Sequence, residues 1–214
     1  IVQIVGNDPD IMAEAARFNQ EQGADIIDIN MGCPAKKVCK KAAGSALLGN
    51  ETLVQEILTK IVNAVDVPVT LKIRTGTTPE QRNAYRIAKI AEDCGIRALT
   101  IHGRTRACAF KGNAEYDTIA KVVQDCTIPV IANGDITSPE KALAVLNYTK
   151  ATGVMIGRAA QGQPWLLGEI RHFWKHGVAR PPMSQVDRFQ SARKHLAEIQ
   201  DFYGEFMGVR FARK

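Results

Sequence analysis

The residue of this 214-residue chain best placed to do chemistry is a thiol held between a glycine and a proline. In Asp28-Ile29-Asn30-Met31-Gly32-Cys33-Pro34, the β-rich residues Ile26, Ile27 and Ile29 run straight into a Gly-Cys-Pro turn. Pro34 cannot extend a strand ladder and biases Cys33 toward extended backbone. A strand end is where α/β proteins keep their reactive groups. The competing reading is a buried structural cysteine, a common fate of free thiols. Other apolar segments also end in loaded positions: Lys72 with Arg74, His102 with Arg104, Asn133 with Asp135, and Gly157 with Arg158. A lysine inside Val69-Thr70-Leu71-Lys72-Ile73 is costly to bury unless partnered, so Lys72 is expected to point into a shared mouth, where its charge could stabilise an electron-rich ligand. His102 taken singly reads as a satisfied structural histidine; in register with Lys72 and Asn133 it is expected on the same ligand. Gln3 interrupts the opening strand and could either hydrogen-bond a heterocycle or face outward. Asn133-Gly134-Asp135, with Gly157-Arg158 one unit later, suits a phosphate: glycines admit backbone N–H groups to an anion and Arg158 adds a fork of donors.

The elements that must position these residues alternate strictly. Six β-rich segments, residues 1–5, 25–29, 67–73, 98–101, 128–132 and 154–156, are separated by helical patterns. Asp8-Pro9, Thr78-Pro79 and Ser138-Pro139 read as N-cap and first-turn pairs, and Gly23 and Gly95 as helix stops. Ile87, Ala88, Ala91 and Cys94 repeat at helical spacing and are expected to face a sheet. Such alternation gives a parallel sheet covered by helices. Because every strand carries a functional end, the expected fold class is a TIM (β/α)8 barrel, incomplete at its N-terminus with about six βα units present. Two further units are expected upstream of Ile1; a six-stranded open sheet is the alternative. The barrel is expected over residues 1–176. After a linker through Pro181-Pro182, residues 183–214 read as the start of a separate helical domain, opening with an amphipathic helix over 185–203 that carries Phe189, Ala192, Leu196 and Ile199.

Composition narrows the class. A hydrophobic content of 45% is ample for a packed core, and no apolar run approaches the ~18 residues of a membrane span. Five dispersed cysteines without a C-x-x-C argue for reduced thiols, a cytoplasmic setting and no metal site. The net charge of +6 is concentrated just past the thiol, at Lys36, Lys37, Lys40 and Lys41. A solvated face is one meaning of such a run; a polyanion such as RNA is the other.

Five segments in this order, Asp28–Pro34, Leu71-Lys72-Ile73-Arg74, Ile101-His102-Gly103-Arg104-Thr105-Arg106, Ile131-Ala132-Asn133-Gly134-Asp135 and Met155-Ile156-Gly157-Arg158, closely resemble the tRNA-dihydrouridine synthases, nearest the bacterial B-type branch. The resemblance implies an FMN-dependent barrel enzyme with a helical tRNA-binding domain, monomeric, in which NADPH reduces the flavin and the flavin reduces C5–C6 of a uridine. Carried over, Cys33 is the catalytic cysteine, giving a proton to C5 after hydride reaches C6. A cysteine thiol, with an ordinary pKa of ~8.5, is mostly protonated at neutral pH and so can act as a general acid. Gln3, Lys72, His102, Asn133, Gly134, Asp135, Gly157 and Arg158 match FMN contacts, and Asn30 a residue near flavin and base. Arg104, Arg106, Lys36 and Lys37 are candidates for contacts to the tRNA backbone. Residues 208–214 resemble the start of the family's basic RNA-gripping helix. The family's flavin-cradling first barrel strand has no counterpart here. Open alternatives are an FMN barrel acting on a free pyrimidine or small enone, a non-enzymatic RNA-binding scaffold, and an aldolase using Lys72.

Overall fold

In a computed structural model, which describes residues 1–213, the chain divides into two compact units, Ile1–Gly177 and Val178–Lys214. The first contains β1 (Val2–Ile4), α1 (Pro9–Glu21), β2 (Ile27–Met31), α2 (Lys36–Cys39), a 3-10 turn (Gly44–Gly49), α3 (Glu51–Ala64), β3 (Val69–Arg74), α4 (Ala84–Asp93), β4 (Ala98–His102), α5 (Asp117–Asp125), β5 (Val130–Asn133), α6 (Pro139–Thr149), β6 (Gly153–Met155) and α7 (Leu166–His176).

All five strand pairings are parallel, and the strand order is sequential from β1 to β6. A doubly wound sheet reverses its order at a switch point. Here none occurs, so the sheet is not doubly wound and its winding is that of a (β/α)8 barrel. The helices agree, since α3 packs on α1, and α4, α5, α6 and α7 each pack on the helix before in chain order.

Within the strands, period-2 alternation separates core from cleft. Ile27, Ile29 and Met31 of β2, and Leu71 and Ile73 of β3, are wholly buried against the helices. The intervening Asp28, Asn30, Thr70, Lys72 and Arg74 point to the other face and line one cleft. Helix starts follow the expected chemistry at α1, where Asp8 accepts from the Asp10 and Ile11 N–H groups, and at α6, where Ser138 accepts from Lys141 N–H. Gly23 and Gly95 carry the positive φ of helix stops.

The Thr78-Pro79 start is overturned. The helix begins at Ala84, and residues 76–82 form a tight return in which Thr77 N–H donates to the Gln81 carbonyl. A Cβ on Gly76 would lie 2.1 Å from that carbonyl oxygen, so a glycine is what lets the chain fold back there.

In the second unit, α8 spans Gln185–Ala212, with Ser184 capping its start. At Gly204, φ 73° and ψ 165° break it, close to the end expected at Tyr203. The segment beyond folds back: Gly208 packs on Ile199 and Gln200, and the Tyr203 and Phe211 rings lie 4.4 Å apart. Of the basic segment 208–214, Lys214 lies outside the described residues.

Candidate functional site

The C-terminal ends of all six strands open onto a single cleft of about 980 Å3. Cys33, Lys72, His102, Asn133, Arg158, Gln3 and Asn30 all line it, together with Gly134, Asp135 and Gly157. Thiol and Asn-Gly-Asp/Gly-Arg segments, far apart in sequence, thus share one cleft.

The turn that holds the thiol is built from both sides. Asn30 Oδ1 accepts from the Gly32 and Cys33 N–H groups, each at 3.0 Å. The Cys33 carbonyl accepts from Ser45 Oγ at 2.8 Å and Ser45 N–H at 3.0 Å. Gly44, at φ 61°, makes that approach possible, because a Cβ there would lie 2.8 Å from the Cys33 oxygen. Arg74 Nε donates to the Gly32 carbonyl at 2.8 Å and closes the turn from below.

Asn133, 8% exposed, is the hub of the opposite wall. Its Nδ2 donates to the Met155 carbonyl at 2.8 Å, which fixes the amide so that Oδ1 must accept. Lys72 Nζ reaches Oδ1 at 3.3 Å and His102 Nδ1 at 2.8 Å. His102 therefore carries its proton on Nδ1 and presents a lone pair on Nε2. Burial, then the charges of Arg74, Lys72 and Arg104, outweigh the Asn133 bond and push its pKa down to about 4, so the ring is neutral near pH 7. Burial also lowers the pKa of Lys72, with Arg74 adding to the effect and Asp28 opposing it.

A pH test follows. An unfolded imidazole binds its proton near pH 6.5, the folded one near 4. Between those values the unfolded chain holds more protons, so stability falls as pH drops through the window. Chemical denaturation at pH 7 and pH 5 should show this loss, at less than the limiting ~1.4 kcal/mol per pH unit because the ring is partly exposed. His102→Gln should flatten it.

Asp135 joins the walls. Burial raises its pKa, but the Ala114 N–H, Arg104 and Arg158 together win and hold the carboxyl below its ordinary value. Arg104 grips it in a fork, Nη2 to Oδ2 at 2.6 Å and Nη1 to Oδ1 at 3.0 Å; Arg158 Nη2 reaches Oδ1 at 3.0 Å. Arg158 remains 61% exposed, whereas the Arg104 side chain is 3% exposed. Its remaining donors go to the Lys111 and Gly112 carbonyls and, at 3.5 Å, to the Nε2 lone pair of His102. The expectation that Arg104 grips the tRNA backbone is corrected: a cation sealed behind Asp135 has no donor left for a phosphate. Arg106 is half-buried and does not line the cleft; its backbone N–H bonds the Gly76 carbonyl. Lys36 and Lys37 are exposed on α2, just past the thiol turn.

Sequence reasoning passed over several cleft residues. Arg74 was noted as a strand end and given no role, yet it is buried, donates to three carbonyls (Gly32, Thr105, Ala109), and has no carboxylate within 4.0 Å among the described residues. Phe110, 58% exposed, lies 5.5 Å beneath both the Arg74 and Arg158 guanidiniums. Asp28 and Thr70 share the inward face, and only strand alternation could have signalled them.

Comparison with known sequences decides the relationship. The sequence model of the family "Dihydrouridine synthase (Dus)" matches residues 1–214. The chain belongs to the dihydrouridine synthase family. It is 61% identical over 213 residues to tRNA-dihydrouridine synthase B of Shewanella oneidensis, and 62% identical to the proteins of that name from Proteus vulgaris and Escherichia coli K12. In each case all of this chain aligns, and it spans 66% of the relative's length. Among solved structures, dipeptide epimerases from Cytophaga hutchinsonii and Enterococcus faecalis V583 match this chain with TM-scores of 0.51 at 16% and 14% identity, over 71% of it and 35% and 36% of theirs. At that identity the likeness concerns fold alone. No helix among the described residues is long and apolar enough to cross a membrane.

Proposed function

We propose that this chain is the catalytic part of a tRNA-dihydrouridine synthase that uses FMN and NADPH to reduce the C5–C6 bond of a tRNA uridine in the cytoplasm. The observation that carries the reading is the convergence of Cys33 with Lys72, Asn133 and Arg158 on one cleft.

The residues present suit a flavin mononucleotide. The cleft has the volume of a cofactor site. Neither Lys72 nor Arg74 has a carboxylate within 4.0 Å among the described residues, so the wall carries buried positive charge that an electron-rich ring would balance. Gly157 has open space where a Cβ would stand, and the exposed Arg158 beside it offers donors to a phosphate. Lys72, His102 and Asn133 would hold the ring end; Gly134, Gly157 and Arg158 the phosphate end. Gln3 and Asn30 spend their polar atoms on each other and on neighbouring groups, so Gln3 meets a ring from a fixed position, and Asn30 acts by setting the thiol turn.

FMN, when bound, supplies the two-electron reducing chemistry that NADPH renews. The chain's own contribution is proton delivery and orientation. Cys33 gives its S–H proton to C5 of the uracil, on the side its turn presents, and regains one from solvent. Neutral His102 leaves Lys72 as the cation facing the developing charge. A stacked base cannot enter the cleft, so the uridine must be extruded; Lys36 and Lys37 on α2, just past the thiol turn, are proposed to meet its backbone.

The test uses the full-length protein. Bound flavin should bleach with NADPH, and dihydrouridine should appear in tRNA but not in free uridine. Reduction of free uridine alone would overturn the RNA reading, and absence of flavin the whole proposal. Arg158→Ala should weaken FMN retention about tenfold by removing a charged donor, measured by flavin titration.

A further inference from the structure

Four side chains from three strands form one directed hydrogen-bond chain that ends on the main-chain N–H of the thiol residue. Thr70 Oγ1 donates to Asp28 Oδ1 at 2.7 Å, and Gln3 Nε2 donates to Asp28 Oδ2 at 2.6 Å. Asn30 Nδ2 donates to Gln3 Oε1 at 2.9 Å, and Asn30 Oδ1 accepts from the Cys33 N–H at 3.0 Å. The direction is forced from both ends. An ionised carboxylate only accepts, and a backbone N–H only donates. Two amides lie between, and each must be turned one way for the chain to close. If either flips, a pair of donors meets at one joint and a pair of acceptors at another.

We infer that Asp28 is a positioning residue: by fixing the amide of Gln3, and through it that of Asn30, it sets the turn that presents Cys33. The role rests on the proposed reaction for its catalytic consequence, but not for its structural one. Asp28 acts through Gln3 and not on the sulfur; it lies in register with Gln3 on β1 and Thr70 on β3, one layer below Asn30 and Lys72. Asp28 is also a carboxylate whose charge opposes the lowering of the Lys72 pKa, so a purely electrostatic role is the rival explanation.

Two variants separate them. Asp28→Asn keeps an acceptor for Gln3, and its new amide N–H can donate to Thr70, whose hydroxyl can accept instead. Asp28→Leu keeps the shape and removes every bond. In full-length protein, Asp28→Leu should lower kcat on tRNA on the order of 10- to 100-fold with KM within about threefold, since a displaced proton donor costs rate and not binding. Asp28→Asn should stay within about threefold of wild type. Hydrogen exchange at the Gly32 and Cys33 amides, read by mass spectrometry without substrate, should quicken on the order of tenfold in Asp28→Leu only. Equal damage in both variants would assign Asp28 to the charge of Lys72, and unchanged exchange in Asp28→Leu would overturn the relay. If wild-type protein made no dihydrouridine, the exchange result would still stand or fall by itself.

Discussion

Replacing Cys33 with alanine should leave a yellow, folded protein that forms dihydrouridine in tRNA about 10² to 10⁴ times more slowly, the usual worth of a positioned general acid. Folding is expected to survive because the bonds that shape the turn are made by main-chain atoms of residue 33: its N–H to Asn30 and its carbonyl to Ser45. Flavin is expected to remain because the side chains assigned to it stand on β1, β3, β4, β5 and beyond β6. The measurement is single-turnover dihydrouridine formation by NADPH-reduced enzyme, beside the flavin spectrum. Flavin lost together with activity would make Cys33 a structural residue.

Arg104→Gln should be the most damaging change to the fold. It removes a fork to Asp135 and the partners of the Lys111 and Gly112 carbonyls, in a side chain only 3% exposed. Breaking one side of such a pair costs about 3 kcal/mol, which for a unit of this size lowers the melting temperature by about 10 °C. Arg104→Lys should recover part of that, because an ammonium keeps the charge but not the planar fork. A melting temperature within 2 °C or so of wild type in Arg104→Gln, with a weaker salt dependence of tRNA binding, would restore the surface role that burial now denies it.

The contrast between these residues shows what the sequence made legible. The thiol turn was readable because glycine and proline mark it locally, and the sequential barrel winding followed from uninterrupted β-α alternation. Arg104 misled because His102-Gly103-Arg104 reads as a strand running into a loop, and its partner Asp135 stands 31 residues away on the next strand end. Thr78-Pro79 misled for a related reason: a helix-start signal was genuine turn chemistry used for a return against Gly76. Asp28 and Thr70 carry no local mark of their role, being single polar residues in apolar strands. Which face of a strand looks into a cleft is decided by its neighbours, and no single strand states it.

The way the loop after β4 is fastened bears on how such a cleft can change over time. Arg74 ties the carbonyls of Thr105 and Ala109, and Arg104 those of Lys111 and Gly112, so the loop is secured by its peptide groups. Side chains at positions 106 and 107 take no part in those ties, nor in the stack of Phe110 beneath the Arg74 and Arg158 guanidiniums. They are free to drift, and what the opening selects can be rewritten while its outline endures.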